Sequence, residues 1–195
     1  MGKFKIITVS GPSGAGKDVA INELYTRLEL QCPGKVSKSR YFTTRTQMRP
    51  GEKRDGYFLS PQEFEARKQI GEIVFSGEAD NYRVGISPDE FFKNEVVIVN
   101  IAPQFVEEAK KIILQHDGEC FSIFIWADKE ERVQREQLRE AWLFSEIPRH
   151  HIEHDIVKET PETVRGMDLV IENKEGRLKE TVDGIMAKVE SFLGS

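Results

Sequence analysis

The segment Gly11-Pro12-Ser13-Gly14-Ala15-Gly16-Lys17 constrains this chain more than any other. Before it, Phe4-Lys5-Ile6-Ile7-Thr8-Val9 reads as a buried strand; after it, the sequence from about Lys17 to Leu30 reads as a helix. A G-x-x-x-x-G-K run in that position is a phosphate-binding loop, the P-loop. Its glycines let backbone N–H groups turn inward around a phosphate, and the helix N-terminus adds the positive end of its dipole. The spacing predicts that Gly11, Ser13, Gly14, Ala15 and Gly16 cradle the phosphates of ATP. Lys17 is expected to reach the β- and γ-phosphates and to stabilise charge as the γ-phosphoryl leaves. The bland alternative, a glycine-rich turn that only joins strand to helix, does not explain why strand, motif and helix fall in this order.

One position departs from the motif. Where a Ser or Thr that holds Mg²⁺ usually follows the lysine, this chain has Asp18. A carboxylate is a hard oxygen ligand and suits Mg²⁺ directly or through water. The competing reading is a first-turn acidic residue favoured by the helix dipole.

Short apolar runs alternate with helical ones along the rest of the chain. Val96 to Ile101, Phe121 to Trp126 and Asp168 to Glu172 read as strands. Helical sequence follows from about Gln104 to His116, after Asp128, and from Arg177 to Phe192. Continuous apolar strands between helices are what a parallel sheet covered on both faces requires. The expected fold is therefore α/β, a doubly wound parallel sheet of the P-loop NTPase kind. At 195 residues it suits a single domain. Two stretches interrupt the rhythm, a polar, turn-rich one over 35–94 and an Arg-rich helical one over 132–154. They are read as an inserted acceptor-binding subdomain and a helical lid on a core made of 1–34, 95–131 and 155–195.

A net charge of -5 argues against nucleic acid or an anionic membrane as partner. No apolar stretch nears the roughly 20 residues that span a bilayer, and the first residues show no signal-peptide pattern. Cys32 and Cys120 match no metal or redox spacing and read as free thiols of a reducing cytosol. The expectation is a cytoplasmic protein. Against this acidic background, 35–54 holds seven basic residues and one acidic one. Arg45 and Arg49, with Tyr57 shortly after and Tyr82 further on, make a fork-and-hydroxyl set suited to a phosphate dianion.

The P-loop, the Thr43-Thr44-Arg45…Arg49-Pro50-Gly51-Glu52…Gly56-Tyr57 run and the Asn81-Tyr82…Gly85 element together resemble the guanylate kinases over nearly the whole chain. The resemblance implies that Arg45, Arg49, Tyr57 and Tyr82 bind the phosphate of a nucleoside monophosphate, with one extra residue between the two arginines. It also implies that Arg135, Arg139 and Arg149 close over the phosphates and neutralise transition-state charge, and that Asn173 contacts the donor adenine. The positions that read guanine in that family hold Phe75, Ile86, Asn100 and Ala102 here, and Arg40-Tyr41-Phe42 replaces a serine. A site built to hydrogen-bond a base does not lose so many partners and keep its discrimination. Gly16-Lys17-Asp18, Arg40-Tyr41, the Val-Val-x-Val-Asn strand and Ser145-Glu146-Ile147 resemble instead the ribose 1,5-bisphosphate phosphokinases, which share the fold and take a sugar phosphate.

The expected partners are thus ATP, Mg²⁺ and a nucleotide or sugar-phosphate acceptor. The apolar run Ala141-Trp142-Leu143-Phe144 suits packing against a second copy in a homodimer. His150 and His154 share i,i+4 spacing, but no Cys or Glu-x-x-His context supports zinc. A catalytically silent interaction module of the same fold is the alternative from another class, and the intact Gly16-Lys17 pair argues against it.

Overall fold

The computed structural model describes residues 4–45, 56–79, 82–141 and 164–194. Its larger sheet is built from β1 (Lys5–Ser10), β2 (Val36–Lys38), β7 (Val96–Asn100), β8 (Glu119–Trp126) and β9 (Leu169–Glu172), in the order β2-β7-β1-β8-β9. Every pairing in it is parallel. Helices α1 (Lys17–Gln31), α3 (Val106–Gln115), α4 (Lys129–Ala141) and α5 (Leu178–Leu193) connect or follow these strands. The α/β architecture expected from the alternating runs is the one observed. β2 lies within the range read as insert, yet it hydrogen-bonds along β7 and so belongs to the larger sheet.

Strand alternation divides β1 between two cores. Ile7 and Val9 face Leu24, Leu28, Val182 and Ile185, beneath α1 and α5. Ile6 faces Val97, Val99, Ala109 and Ile113 on the α3 side. Side chains of successive strand residues point to opposite faces, so a strand buried on both must be apolar throughout, as β1 nearly is. Its two buried hydroxyls are Thr8 and Ser10; Ser10 Oγ donates to the carbonyl of Ile101 at 2.7 Å.

The smaller sheet comprises β3 (Tyr41–Thr43), β4 (Gly56–Phe58), β5 (Phe75–Ala79) and β6 (Tyr82–Ile86), in the order β4-β3-β6-β5. Helix α2 (Pro61–Gln69) packs Phe64 against Phe42 and Ile73. A capping box starts this helix: Ser60 Oγ accepts from the Glu63 backbone N–H while the Glu63 carboxylate accepts from that of Ser60. A 3₁₀ turn, Pro88–Phe92, leads back to β7. Phe75 and Phe91 stack at 5.7 Å and belong to the core cluster that also holds Ile6 and Val97, which ties the smaller sheet to the larger.

Cys120 lies in β8, where burial pushes its thiol up to about 12. A thiol raised in the folded state stabilises folding fully below its ordinary value, and that contribution is lost as pH rises toward 12. In a Cys32→Ser chain at pH 8, where the raised pKa leaves little thiolate, Cys120 is expected to react with a thiol reagent far more slowly when folded than in urea. Fast labelling of the folded chain would contradict this burial.

Candidate active site at the P-loop

The loop leaves the C-terminal end of β1, at the centre of the larger sheet, where β7 lies on one side and β8 on the other. Open α/β sheets bind ligands at this kind of switch point. Gly11, Gly14 and Gly16 have φ values of 143°, 75° and 91°, a region that L side chains avoid. Close approach adds to the requirement at Gly16, where a Cβ would stand 2.4 Å from Asn173 Nδ2. These conformations turn the loop back on itself ahead of α1, whose N-terminus points its unpaired N–H groups into the turn. Gly16 itself caps the helix in a left-handed conformation.

Lys17 Nζ donates to the Pro12 carbonyl at 2.7 Å, so the ammonium lies across the loop. Asp18 is exposed in the first turn of α1, and Asn100 Nδ2, from the end of β7, donates to its Oδ1 at 3.2 Å. An exposed carboxylate beside the cradle is a fitting donor for a hard divalent cation. Among the described residues no cluster of three or more His, Cys, Asp or Glu side chains forms a metal site.

Two arginines of α4 hold the outer side of the loop. Arg135 donates to the Gly14 carbonyl at 3.3 Å and to the Asn173 carbonyl at 2.8 Å, and pairs with Glu131 at 2.8 Å. Arg132, only 6% exposed, donates to the Ser13 carbonyl at 3.4 Å. Asn173, at the end of β9, donates through Nδ2 to the Ala15 carbonyl at 2.8 Å, while its Oδ1 is buried without a hydrogen-bond partner. Arg135 thus pairs with Glu131 at i,i+4 spacing while the same guanidinium reaches the loop. Arg132, which the sequence reading groups with the lid arginines but below Arg135 and Arg139, also lies on the loop. Its signal was the i,i+3 spacing to Arg135 on one helix face.

The described residues that the sequence reading expects at the acceptor fall into two pairs. The Arg45 guanidinium lies 5.8 Å from the Tyr82 ring centroid. Tyr57 is paired with Arg40 instead, whose Nη1 donates to the tyrosine oxygen at 3.3 Å. Phe75 and Ile86 face each other across the β5–β6 ladder, and both are buried in the core. Arg49 and Arg149 lie outside the described residues, as do the three histidines of 150–154 and Trp142 to Phe144; Arg139 lies in α4, with its side chain outside them. Among the described residues, no helix is long and apolar enough to cross a membrane.

No protein-family model matches the chain. It is 33% identical over 129 residues to a guanylate kinase of Malacoplasma penetrans, covering 63% of this chain and 62% of that protein. It is 31% identical over 110 residues to a ribose 1,5-bisphosphate phosphokinase of Pectobacterium parmentieri, covering 55% of each. The matched stretches thus span less than two thirds of the length of these curated relatives. The crystal structure of guanylate kinase from Anaplasma phagocytophilum superposes with a TM-score of 0.60 at 25% identity, over 98% of this chain and 87% of that one. Fold, motif order and these likenesses agree: the chain is guanylate kinase-like, similar in fold to that crystal structure and in sequence to part of both groups of kinases.

Proposed function

We propose that this protein transfers the γ-phosphoryl group of ATP to a small phosphorylated acceptor, in the manner of a guanylate kinase (GMP + ATP to GDP + ADP). The observation that carries the reading is the cradle itself. Three positive-φ glycines form it, and Lys17 and Arg135 are both bonded to its carbonyls. The backbone N–H groups from Ser13 to Lys17 bind the β-phosphate, and Lys17 leaves the Pro12 carbonyl for the β- and γ-phosphates. Arg135, with Arg139 and Arg149, neutralises charge on the transferring group. Asp18 would hold Mg²⁺, which when bound would supply further neutralisation of phosphate charge. An oxygen of the acceptor's phosphate attacks the γ-phosphorus as its bond to the β-phosphate oxygen breaks. That nucleophile is already an oxyanion at neutral pH, so positioning suffices and no general base is needed. Arg45, Arg49, Tyr57 and Tyr82 hold the acceptor, and Asn173 contacts the adenine.

A second reading, phosphorylation of a sugar phosphate such as ribose 1,5-bisphosphate, is favoured by one observation. Phe75 and Ile86, which fall where guanylate kinases read the base, are a buried cross-strand pair that offers no polar group to a purine. The test is ADP formation from ATP and Mg²⁺ against GMP, dGMP, AMP, CMP, UMP, dTMP and ribose 1,5-bisphosphate. Turnover of a nucleoside monophosphate supports the first reading, and turnover of the sugar bisphosphate alone supports the second. Silence across the panel removes both.

A further inference from the structure

Two departures from the usual P-loop pattern meet in space. P-loop NTPases ordinarily hold Mg²⁺ between a hydroxyl on the helix and an aspartate at the end of a nearby strand. In this chain the helix carries the acid, Asp18, and β7 ends in a neutral amide, Asn100. The register explains why they meet. Asn100 lies level with Val9 on β1, just before the P-loop begins. The four residues of β7 before it are buried and Asn100 is exposed, so the strand leaves the core at this point. From there its Nδ2 reaches α1 and donates to Asp18 Oδ1, a contact between residues 82 apart in sequence. No other hydrogen bond or ion pair holds the Asp18 carboxylate among the described residues. One oxygen is therefore fixed, and the other, Oδ2, keeps its lone pairs for a cation. The two departures also depend on each other. An aspartate at 100 would set a second negative charge at hydrogen-bond distance from Asp18, and each would oppose the other's ionisation. An amide donates without adding charge. The contact turns Asn100 toward the P-loop, although counting along the chain sets it at a base-reading position.

We propose that Asn100 is the positioning residue of Asp18: its amide holds the carboxylate by one oxygen so that the other is free for Mg²⁺. The acid and its neutral partner have thus exchanged elements, the acid standing on the helix and the neutral group on the strand. This rests on the reading above, in which Asp18 holds the metal of ATP. Partners of this kind orient a ligand without touching the metal, and losing one typically lowers metal affinity by about 10- to 100-fold.

The probe is a non-hydrolysable ATP analogue, titrated calorimetrically into the full chain in Mg²⁺ and, separately, in EDTA. The ratio of the two affinities reads the metal's contribution without any transfer. The wild type binds more tightly in Mg²⁺. Asn100→Ala lowers that ratio by about tenfold and leaves the affinity in EDTA unchanged. The side chain is exposed, so the fold is not put at risk. Asn100→Asp moves the ratio the other way, because its carboxylate repels the phosphates in EDTA and is neutralised together with Asp18 in Mg²⁺. A side chain that only shaped the P-loop would change both affinities equally. For Asn100→Ala, an equal loss in both media or no loss in either overturns the proposal. So does a wild-type affinity indifferent to Mg²⁺, or a ratio that Asn100→Asp lowers. A chain that shows the expected pattern yet transfers nothing across the acceptor panel refutes the transferase reading and upholds the pair. Transfer by a chain whose Asn100→Ala variant keeps the wild-type ratio does the reverse.

Discussion

Lys17→Ala is expected to lower kcat for phosphoryl transfer by roughly 10³-fold, a loss of about 4 kcal/mol of transition-state stabilisation. The magnitude follows from where the ammonium starts. It is held on the Pro12 carbonyl at 2.7 Å, within the loop whose N–H groups are proposed to receive the phosphates. Exchanging a neutral carbonyl for a phosphoryl oxygen whose charge grows in the transition state strengthens the interaction as the reaction proceeds, which raises kcat rather than only lowering KM. The substitution removes the bond from Lys17 to the Pro12 carbonyl, a change of about 1 kcal/mol. The melting temperature and circular dichroism should therefore stay close to wild type. Acceptor KM should also stay close, because, of the residues proposed to hold the acceptor, Tyr57 and Tyr82 lie in the other sheet and Arg45 just follows its strand β3. The variant is measured by coupled ADP release, with the acceptor that the panel identifies. Transfer within tenfold of wild type would falsify the assignment of this lysine to the reacting phosphates. A wild type inactive on every acceptor would favour the interaction-module reading over any kinase.

The P-loop end of the site was legible in the sequence because its determinants are local. Gly11, Gly14, Gly16 and Lys17 lie within seven residues, flanked by a strand and a helix. The acceptor end was less so. Arg40, Tyr57, Glu90 and Lys93 meet only because β3 pairs with β4 and the turn at Pro88–Phe92 returns beneath them. Contacts spanning about 50 residues, such as Arg40 to Glu90, leave no spacing to read. Phe75 illustrates the same limit from the other side. Counting along the chain set it at a base-reading position, whereas its neighbours Phe91 and Phe105 make it part of the core. Strand β2, three residues long, was hidden inside a polar stretch because an edge strand needs few apolar side chains to pair with β7. The role of Asn173 as a strap across the P-loop likewise depends on tertiary contact, since its partner Ala15 is far away in sequence.

Gly11→Ala is expected to destabilise the chain by about 4 kcal/mol, whereas Gly34→Ala should cost about 1 kcal/mol. Both glycines have positive φ, 143° and 75°, so each alanine incurs backbone strain. They differ in what surrounds them. A Cβ on Gly11 would stand 1.9 Å from the carbonyl oxygen of Ile125, whereas one on Gly34 meets nothing within 4 Å. The Ile125 carbonyl belongs to β8, a strand held between β1 and β9, so neither it nor the loop can withdraw without breaking ladder hydrogen bonds. Against a typical total stability of 5–15 kcal/mol, roughly 4 is a large fraction. Urea unfolding of the two variants beside the wild type measures the difference, the Gly34 variant giving the cost of a left-handed φ without a clash. Equal costs would mean that the first turn of the P-loop does not rest against β8. The cradle would then lack the rigid backing that lets its N–H groups be preorganised for phosphate, and the electrostatic argument for Lys17 would lose its geometric basis along with it.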